Sequence, residues 1–423
     1  MGRGGGGNVT PVMSALRPRP AKVEARNLAA GLDYSTIYTC AKLAAIGRGT
    51  QTAETTAGLA LAGRGRDTFA GMREETVNNQ HFVRPVALAA GIGLLLAAAG
   101  PAAAETKLLF NVFTPPSSEI SVEIMYPWLK DIERVTEGRV KIVIPPQNLA
   151  PPPEQMNMVK TGVADGAFMF NAFLQKSHPA LQLGFLPGTM HTALADGVAY
   201  WRTYEKFIAP KHPVNEVKLL GFFANPPGHL YNIEKAPIQS LAALKGKKSW
   251  SLPGLTARAI GLTGASVVPG PAVRMYEIIS KGVVDVFCCI DYGDMEAYKV
   301  LQYVGAVTEI DGGVFSPKFS VFINNAKWNT ISPKDQAAIM AISGEALARR
   351  AVAVDAHNEK VKKEYLAHGG IIVPATPAFN AELKKAWAPL VESWIADADK
   401  EGVDGRAALD YFMSEAKKID SGH

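Results

Sequence analysis

This 423-residue chain has only three cysteines, too few to encode the disulfide framework of a small secreted scaffold. Cys40 stands alone near the amino terminus, and Cys288 and Cys289 are adjacent within an apolar run. Neighbouring cysteines bridge only through a strained ring, so two buried thiols are expected there even in an oxidising compartment. Long hydrophobic runs are scarce too. The stretch from Val86 to Ala99 is about 14 residues, short of the roughly 20 that a bilayer-spanning helix needs. The chain also lacks G-x-S-x-G, H-E-x-x-H, C-x-x-C and a Walker A loop, and His178, His191, His212, His229, His357 and His368 are dispersed without metal-ligand spacing. No catalytic residue, metal or cofactor is expected, although a triad built from scattered residues is defined by geometry and leaves no such signature.

Charge of one sign is missing where a polyanion would need it. The formal net charge is +5, but residues 1–71 carry 9 Lys/Arg against 4 Asp/Glu and residues 72–104 carry two of each, which leaves 33 of each sign from Glu105 onward. The basic residues there are scattered rather than gathered on one stretch, which argues against nucleic-acid binding.

What is present begins at Met72. Arg73 and Arg84 precede the apolar run, and Pro101 and Ala102, Ala103 and Ala104 follow it, giving an A-x-A signal just before Glu105. Residues 72–104 therefore read as a signal peptide, with a periplasmic mature protein starting at Glu105. Residues 1–71 read as a non-native or disordered upstream extension, explained by a start codon assigned too early. Gly2, Gly4 and Gly7 satisfy G-x-G-x-x-G, but no strand precedes them and no βαβ unit surrounds them, so the phosphate-cradling geometry is missing.

Beyond Glu105 the pattern is that of an α/β protein. Leu108 to Phe113 reads as a buried strand. Ile120, Ile124, Met125, Trp128, Leu129, Ile132 and Val135 recur at helical spacing up to Gly138. Val140, Ile142 and Ile144 alternate as a strand; a helix over about 153–161 ends at Gly162, and Ala167 to Phe170 is a third strand. This β-α-β-α-β order predicts parallel pairing. A weak repeat then appears: Met158-Val-Lys-Thr-Gly-Val-Ala-Asp165 returns in character as Ile278-Ile-Ser-Lys-Gly-Val-Val-Asp285, which predicts two similar lobes. Chain crossing is expected near Asn225, giving lobe I as 105–225 plus about 318–350 and lobe II as 226–317 plus about 351–420. Ser332-Pro333-Lys334-Asp335 is a helix start, and helix formers run on to His368. Some 36 residues at about 1.5 Å each make a rod near 50 Å, long enough to bridge both lobes.

Thr136-Glu137-Gly138-Arg139, Glu154 to Asp165, Leu244-Lys245-Gly246, Met275-Tyr276-Glu277 through Asp285, and Val321 to Ile331 (VFINNAKWNTI) occur in this order. With that spacing the chain resembles the DctP-type solute-binding proteins of tripartite ATP-independent periplasmic (TRAP) transporters. The resemblance covers essentially all of residues 105–420. It implies a two-lobed, periplasmic-binding-protein-like α/β fold with a central cleft and a long inter-lobe helix. It also implies a monomer that captures a small organic solute, an aromatic or other organic acid, by cleft closure and delivers it unchanged to a membrane permease driven by an ion gradient.

In most of that family an arginine in the strand after L-K-G clamps the substrate carboxylate. Here that position is Trp250, which suits stacking on an aromatic or apolar ligand or facing a cation, or else packing in the lobe core. The family's polar residue after the second repeat aligns with Cys289. Arg274 and Arg258 are the nearest cations, each equally suited to a solvated helix face. Position at strand ends adds Phe113, Ser117, Phe170, Asn171, His229, Tyr231, Asp291, Tyr292 and Phe319 as substrate-binding candidates. Two other functions share parts of this pattern: a solute-binding sensor for a signalling partner, and a periplasmic hydrolase.

Overall fold

The computed structural model describes residues 105–422. The expectations placed on residues 1–104, namely the upstream extension, the glycine motif, Cys40, the signal peptide and its cleavage site, lie outside the described residues. Among those described, no helix is long and apolar enough to cross a membrane.

Two mixed sheets organise the described residues. The first has the order β2-β1-β3-β10-β4. Its strands β1 (Thr106–Asn111), β2 (Val140–Val143) and β3 (Gly166–Phe170) pair in parallel, as the alternation with helices predicts. Strand β10 (Lys318–Ile323) enters antiparallel between β3 and β4 (Lys218–Ala224). The second sheet has the order β11-β9-β5-β8-β6-β7. In it β6 (Lys248–Ser251) runs parallel to β7 (Ser266–Pro269) and β8 (Val286–Cys288). Strand β5 (Leu230–Asn232) lies antiparallel between β8 and β9 (Ala306–Glu309), and β11 (Ile372–Pro374) closes the edge.

The repeat read in the sequence is a repeat in space. Gly162 and Gly282 each take a left-handed φ, 76° and 64°, which ends the preceding helix. Each following aspartate then ties the chain to a neighbouring strand: Asp165 Oδ2 accepts from the Leu109 amide and Asp285 Oδ2 from the Lys248 amide, both at 2.8 Å. The Asp165 and Asp285 amides donate back to the same two residues' carbonyls, again at 2.8 Å. Each lobe is thus stitched at the same point by the same side chain.

The rod expected over residues 332–368 is broken. The Pro333–Ala341 helix stops, Gly344 turns at φ 56° with its amide on the Leu220 carbonyl at 2.6 Å, and a new helical run starts at Glu345 and continues to Ala367. A close crossing causes the break: a Cβ on Gly221 of β4 would lie 2.9 Å from the Gly344 nitrogen, so the two glycines let the backbones touch. The second run does bridge, with Leu347, Ala348 and Ala351 against the first sheet's layer and Val361 in the core of the second.

A second bridge comes from the Pro377–Lys400 helix. Phe379, Leu383, Trp387 and Leu390 pack with the second sheet's core, and Trp394 and Ala398 with the first. Its two indoles dock on opposite lobes, Trp387 Nε1 donating to the Ala259 carbonyl at 3.0 Å and Trp394 Nε1 to the Ala180 carbonyl at 3.3 Å. The Gly405–Asp420 helix, placed with lobe II by the sequence reading, packs instead beside the Ala193–Thr203 helix of the first lobe. Its stripe Ala408, Leu409, Phe412, Ala416 and Ile419 shares a core with Tyr200 and Phe222.

One further correction concerns the cysteines. Cys288 and Cys289 form a disulfide rather than two thiols. Cys289 adopts φ 78° at the end of β8, so the chain leaves the extended strand geometry that would hold adjacent side chains on opposite faces.

Candidate functional site

Phe170 ends β3, the central strand of the first sheet, and the chain then turns through the short helical segments Asn171–Leu174 and Pro179–Phe185. These turns bring Phe173 and Phe185 to the same place, and Phe315 joins them from the strand-like crossing before β10. Opposite stands the loop that follows β6 in the second lobe. Together they enclose a cavity of ≈ 190 Å³ lined by Phe170, Phe173, Phe185, Phe315, Gln182 and Thr256, with Pro253, Gly254 and Gln175 nearby.

The rings are held in fixed mutual geometry. Phe170 meets Phe173 at 5.5 Å, Phe185 at 5.4 Å and Phe315 at 5.9 Å, each edge-on, while Phe185 and Phe315 stack at 5.4 Å with planes 14° apart. Edge-to-face and offset-stacked pairs are the arrangements aromatic quadrupoles favour. Among the described residues no charged side chain lines this cavity. Gln182 is already committed, its Nε2 donating to the Asn171 carbonyl at 3.1 Å. An apolar cavity of about 150 Å³ accepts a benzene molecule, so the space suits one substituted aromatic ring.

The aromatic array continues inward. Phe170 approaches Phe319 at 5.7 Å, Phe319 stacks on Phe223 at 4.9 Å, and Phe168 links that pair to Phe113 at 4.6 Å. Three residues singled out in the sequence, Phe113, Phe170 and Phe319, therefore belong to one continuous wall. Phe173, Phe185, Phe223 and Phe315 were not singled out. They lie on irregular turns or within strands, and only the fold brings them together.

A second, polar cavity of ≈ 150 Å³ lies under the helical run that bridges the lobes, lined by residues that include His229, Tyr292, Glu309, Asp355 and Lys362. His229 Nδ1 accepts from the Ile310 amide at 3.2 Å, and burial pushes its pKa down to about 4, so the imidazole is neutral at pH 7. The Tyr292 hydroxyl donates to Glu309 Oε1 at 3.1 Å, and Lys362 Nζ pairs with the same carboxylate at 2.6 Å. Behind His229, the Tyr231 hydroxyl donates to the Ile290 carbonyl at 2.6 Å. Asp291 caps the Tyr292–Ala297 helix, accepting from the Asp294 amide at 2.7 Å. Burial, then the neighbouring Asp294 charge, holds the Asp291 carboxyl well above the usual carboxylate range.

The remaining candidates lie elsewhere. Trp250 is wholly buried in a cluster with Tyr231, Met275, Ile279 and Phe287, and its Nε1 has no partner among the described residues. Asn171 turns into the first lobe, where Oδ1 accepts from the Ser320 hydroxyl and Nδ2 donates to Tyr200 at 3.3 Å. Ser117 is exposed on the loop after β1. Arg274 is paired with Glu277 at the surface, 3.2 Å away, and Arg258 is exposed. The fold also brings together two of the dispersed histidines. The His178 and His212 rings lie 4.8 Å apart, with Glu216 and Glu401 at their outer nitrogens. Among the described residues no group of three or more His, Cys, Asp or Glu is arranged to hold a metal.

Residues 110–397 match the DctP family, described as bacterial extracellular solute-binding protein, family 7. The outer membrane transporter protein TsaT of Comamonas testosteroni is 37% identical over 324 residues, which span 76% of this chain and 96% of that protein. A TRAP periplasmic solute-binding protein of Bordetella bronchiseptica, solved with bound (R)-mandelate and (S)-mandelate, superposes with a TM-score of 0.69 at 27% identity, covering 74% of this chain and 99% of that one. A marine-metagenome TRAP solute-binding protein specific for aromatic acid ligands, solved with 3-hydroxybenzoate, superposes with a TM-score of 0.67 at 25% identity over the same shares of the two chains.

Proposed function

This chain belongs to the bacterial extracellular solute-binding proteins of family 7, and from that premise we propose that its solute is an aromatic carboxylate whose ring enters the phenylalanine-lined cavity. It is a TRAP-type solute-binding protein, a transport component that captures a small organic solute. The observation that carries the finer reading is the cavity itself: four phenylalanines in fixed mutual geometry, no charged lining residue, and room for one ring. Two solved relatives bind mandelate and 3-hydroxybenzoate, which supports a single-ring acid.

The ring supplies the apolar contact, and the carboxylate points to the mouth, where Pro253 and Gly254 are exposed and water remains within reach. Gln175 and Thr256 offer polar contacts there. Closure of the two lobes seals the ring from solvent, and the ligand favours the closed form to the extent that it binds that form better. We take the protein to release its solute unchanged to an ion-driven permease, to act as a monomer, and to begin at Glu105 in its exported form.

A thermal-shift screen tests the central claim. Benzoate, mandelate and 3-hydroxybenzoate should raise the melting temperature in proportion to the logarithm of their concentration, and aliphatic acids such as succinate should not. A shift with succinate and none with any aromatic acid would reject the reading. Sequencing the exported protein from its amino terminus checks the start at Glu105.

A further inference from the structure

The Cys288–Cys289 bridge has no part in the binding scheme above, yet both residues are fully buried in one packed cluster with Phe185 and Phe315. The contact between them runs through the backbone. A Cβ on Gly228 would lie 2.3 Å from the Ile290 nitrogen and 2.6 Å from the Cys289 carbonyl carbon, so the chain leaving the disulfide is pressed against Gly228. Gly228 in turn is bonded to the cavity wall: its amide donates to the Phe315 carbonyl at 2.7 Å, and its carbonyl accepts from the Val314 amide at 2.9 Å. Cys289, Gly228 and Phe315 are thus linked by a close backbone approach on one side and two hydrogen bonds on the other.

We propose that the Cys288–Cys289 disulfide is a redox-sensitive positioning element for the aromatic cavity, holding Phe315 in place when oxidised and releasing it when reduced. The inference rests on the reading of that cavity as the solute site. The reductant is a dithiol. One of its thiolates attacks a bridge sulfur to give a mixed disulfide, its second thiolate displaces the protein sulfur, and two electrons and two protons end on Cys288 and Cys289 while the dithiol becomes a disulfide. Two free thiols do not stay at bonding distance. Both side chains are fully buried in a packed cluster, so their separation acts on the left-handed Cys289 turn, whose backbone lies against Gly228 too closely to admit a side chain there. The family is extracellular, a setting in which disulfides persist unless a reductant is supplied.

Three measurements test this on the full exported protein. Alkylation with iodoacetamide in denaturant without reductant should leave Cys288 and Cys289 unmodified in the mass spectrum; label on either overturns the proposal. Hydrogen exchange should then be compared between the oxidised protein, the dithiothreitol-reduced protein and a Cys288→Ser/Cys289→Ser variant. The Gly228 and Val314 amides should exchange at least tenfold faster in the last two, while amides of the β10–β4 ladder keep their rates. Unchanged rates at Gly228 and Val314, or a uniform rise across both sheets, overturn it. Finally, benzoate should bind the reduced protein at least tenfold more weakly, with recovery on reoxidation, and equal Kd in both states sinks the proposal. Failure of benzoate to bind in any state would count against the aromatic-acid reading alone, and the exchange data would still decide the redox inference.

Discussion

The carboxylate of Glu119 occupies the space that a side chain on Gly293 would take: a Cβ there would lie 2.3 Å from Glu119 Oε2. The contact joins the first lobe to the opening turn of the Tyr292–Ala297 helix. Both Glu119 oxygens are buried without a hydrogen-bond partner among the described residues, and His357 Nε2 stands 3.7 Å away, beyond bonding reach. Burial raises the Glu119 pKa well above its usual value, and Asp291, Asp294, Asp355 and Glu123 push it the same way. The folded state therefore holds a proton that the unfolded chain releases above pH 4.5, and the slope of stability with pH is negative across that window. Glu119→Gln, which mimics the protonated acid, should raise the melting temperature at pH 7.5 by several degrees, and the gain should shrink toward zero as the pH falls to about 4.5. Asp294 and Asp355, each pushed up to about 6, add slopes of the same sign, and His229 acts in the opposite sense; the difference between the two proteins removes the part of the pH dependence that does not involve Glu119. Parallel melting curves across the pH range would remove Glu119 from the account.

Phe315→Ala opens the wall on which the proposed ring rests. The residue is almost fully buried and stacked on Phe185, so truncation should cost about 3–5 kcal/mol of stability and at least tenfold in benzoate affinity. Phe315→Leu keeps most of the volume and separates the two effects. It should recover most of the stability in urea unfolding and still bind benzoate several-fold more weakly by calorimetry. Full affinity in the leucine variant would place the ligand elsewhere.

The duplicated Gly162-Asp165 and Gly282-Asp285 turns were legible because each function is local: glycine at a left-handed cap, and aspartate within reach of the adjoining strand. The break at Gly344 was not, because its cause is Gly221, more than a hundred positions earlier and on another element. The Trp387 and Trp394 anchors escaped for a similar reason. Their spacing shows one apolar helix face, and only the tertiary structure reveals that successive turns of that face meet different lobes. In the site, strand-end position located Phe170, but Phe185 and Phe315 sit in segments without periodicity, so no pattern marked them. Trp250 stands where the resemblance implies an arginine, and the structure sets its indole on the face of the second sheet that holds Tyr231 and Phe287.

Lys318 and Asp196 form an ion pair at 2.6 Å with both side chains fully buried, one residue before the aromatic wall at Phe319. Burial lowers the lysine pKa, and the aspartate charge works against that shift. Removing one partner leaves a buried charge alone, so Asp196→Asn should cost about 3–5 kcal/mol in urea unfolding. The double change Lys318→Met/Asp196→Leu removes both charges and should return most of that loss. A double variant no more stable than the single one would show that the pair's hydrogen bonds, including the one the His191 amide donates to Asp196 Oδ1 at 2.9 Å, matter more than its charges.

The absence of a charged group from the lining of the aromatic cavity makes a prediction about selectivity. A guanidinium clamp recognises a carboxylate through two charge-assisted hydrogen bonds, and a site built on one discriminates strongly against a neutral isostere. Here the lining offers rings, two glutamines and a threonine, so the free energy of binding comes from the apolar ring, worth about 25 cal/mol for each Å² removed from water. Benzamide should then bind within about tenfold of benzoate by calorimetry, a difference of about 1.4 kcal/mol, and cyclohexanecarboxylate should bind more weakly than either because it loses the edge-on and stacked ring contacts. A preference for benzoate over benzamide of a hundredfold or more would mean that a cation reaches the carboxylate after closure, and the site would have to be redrawn around it.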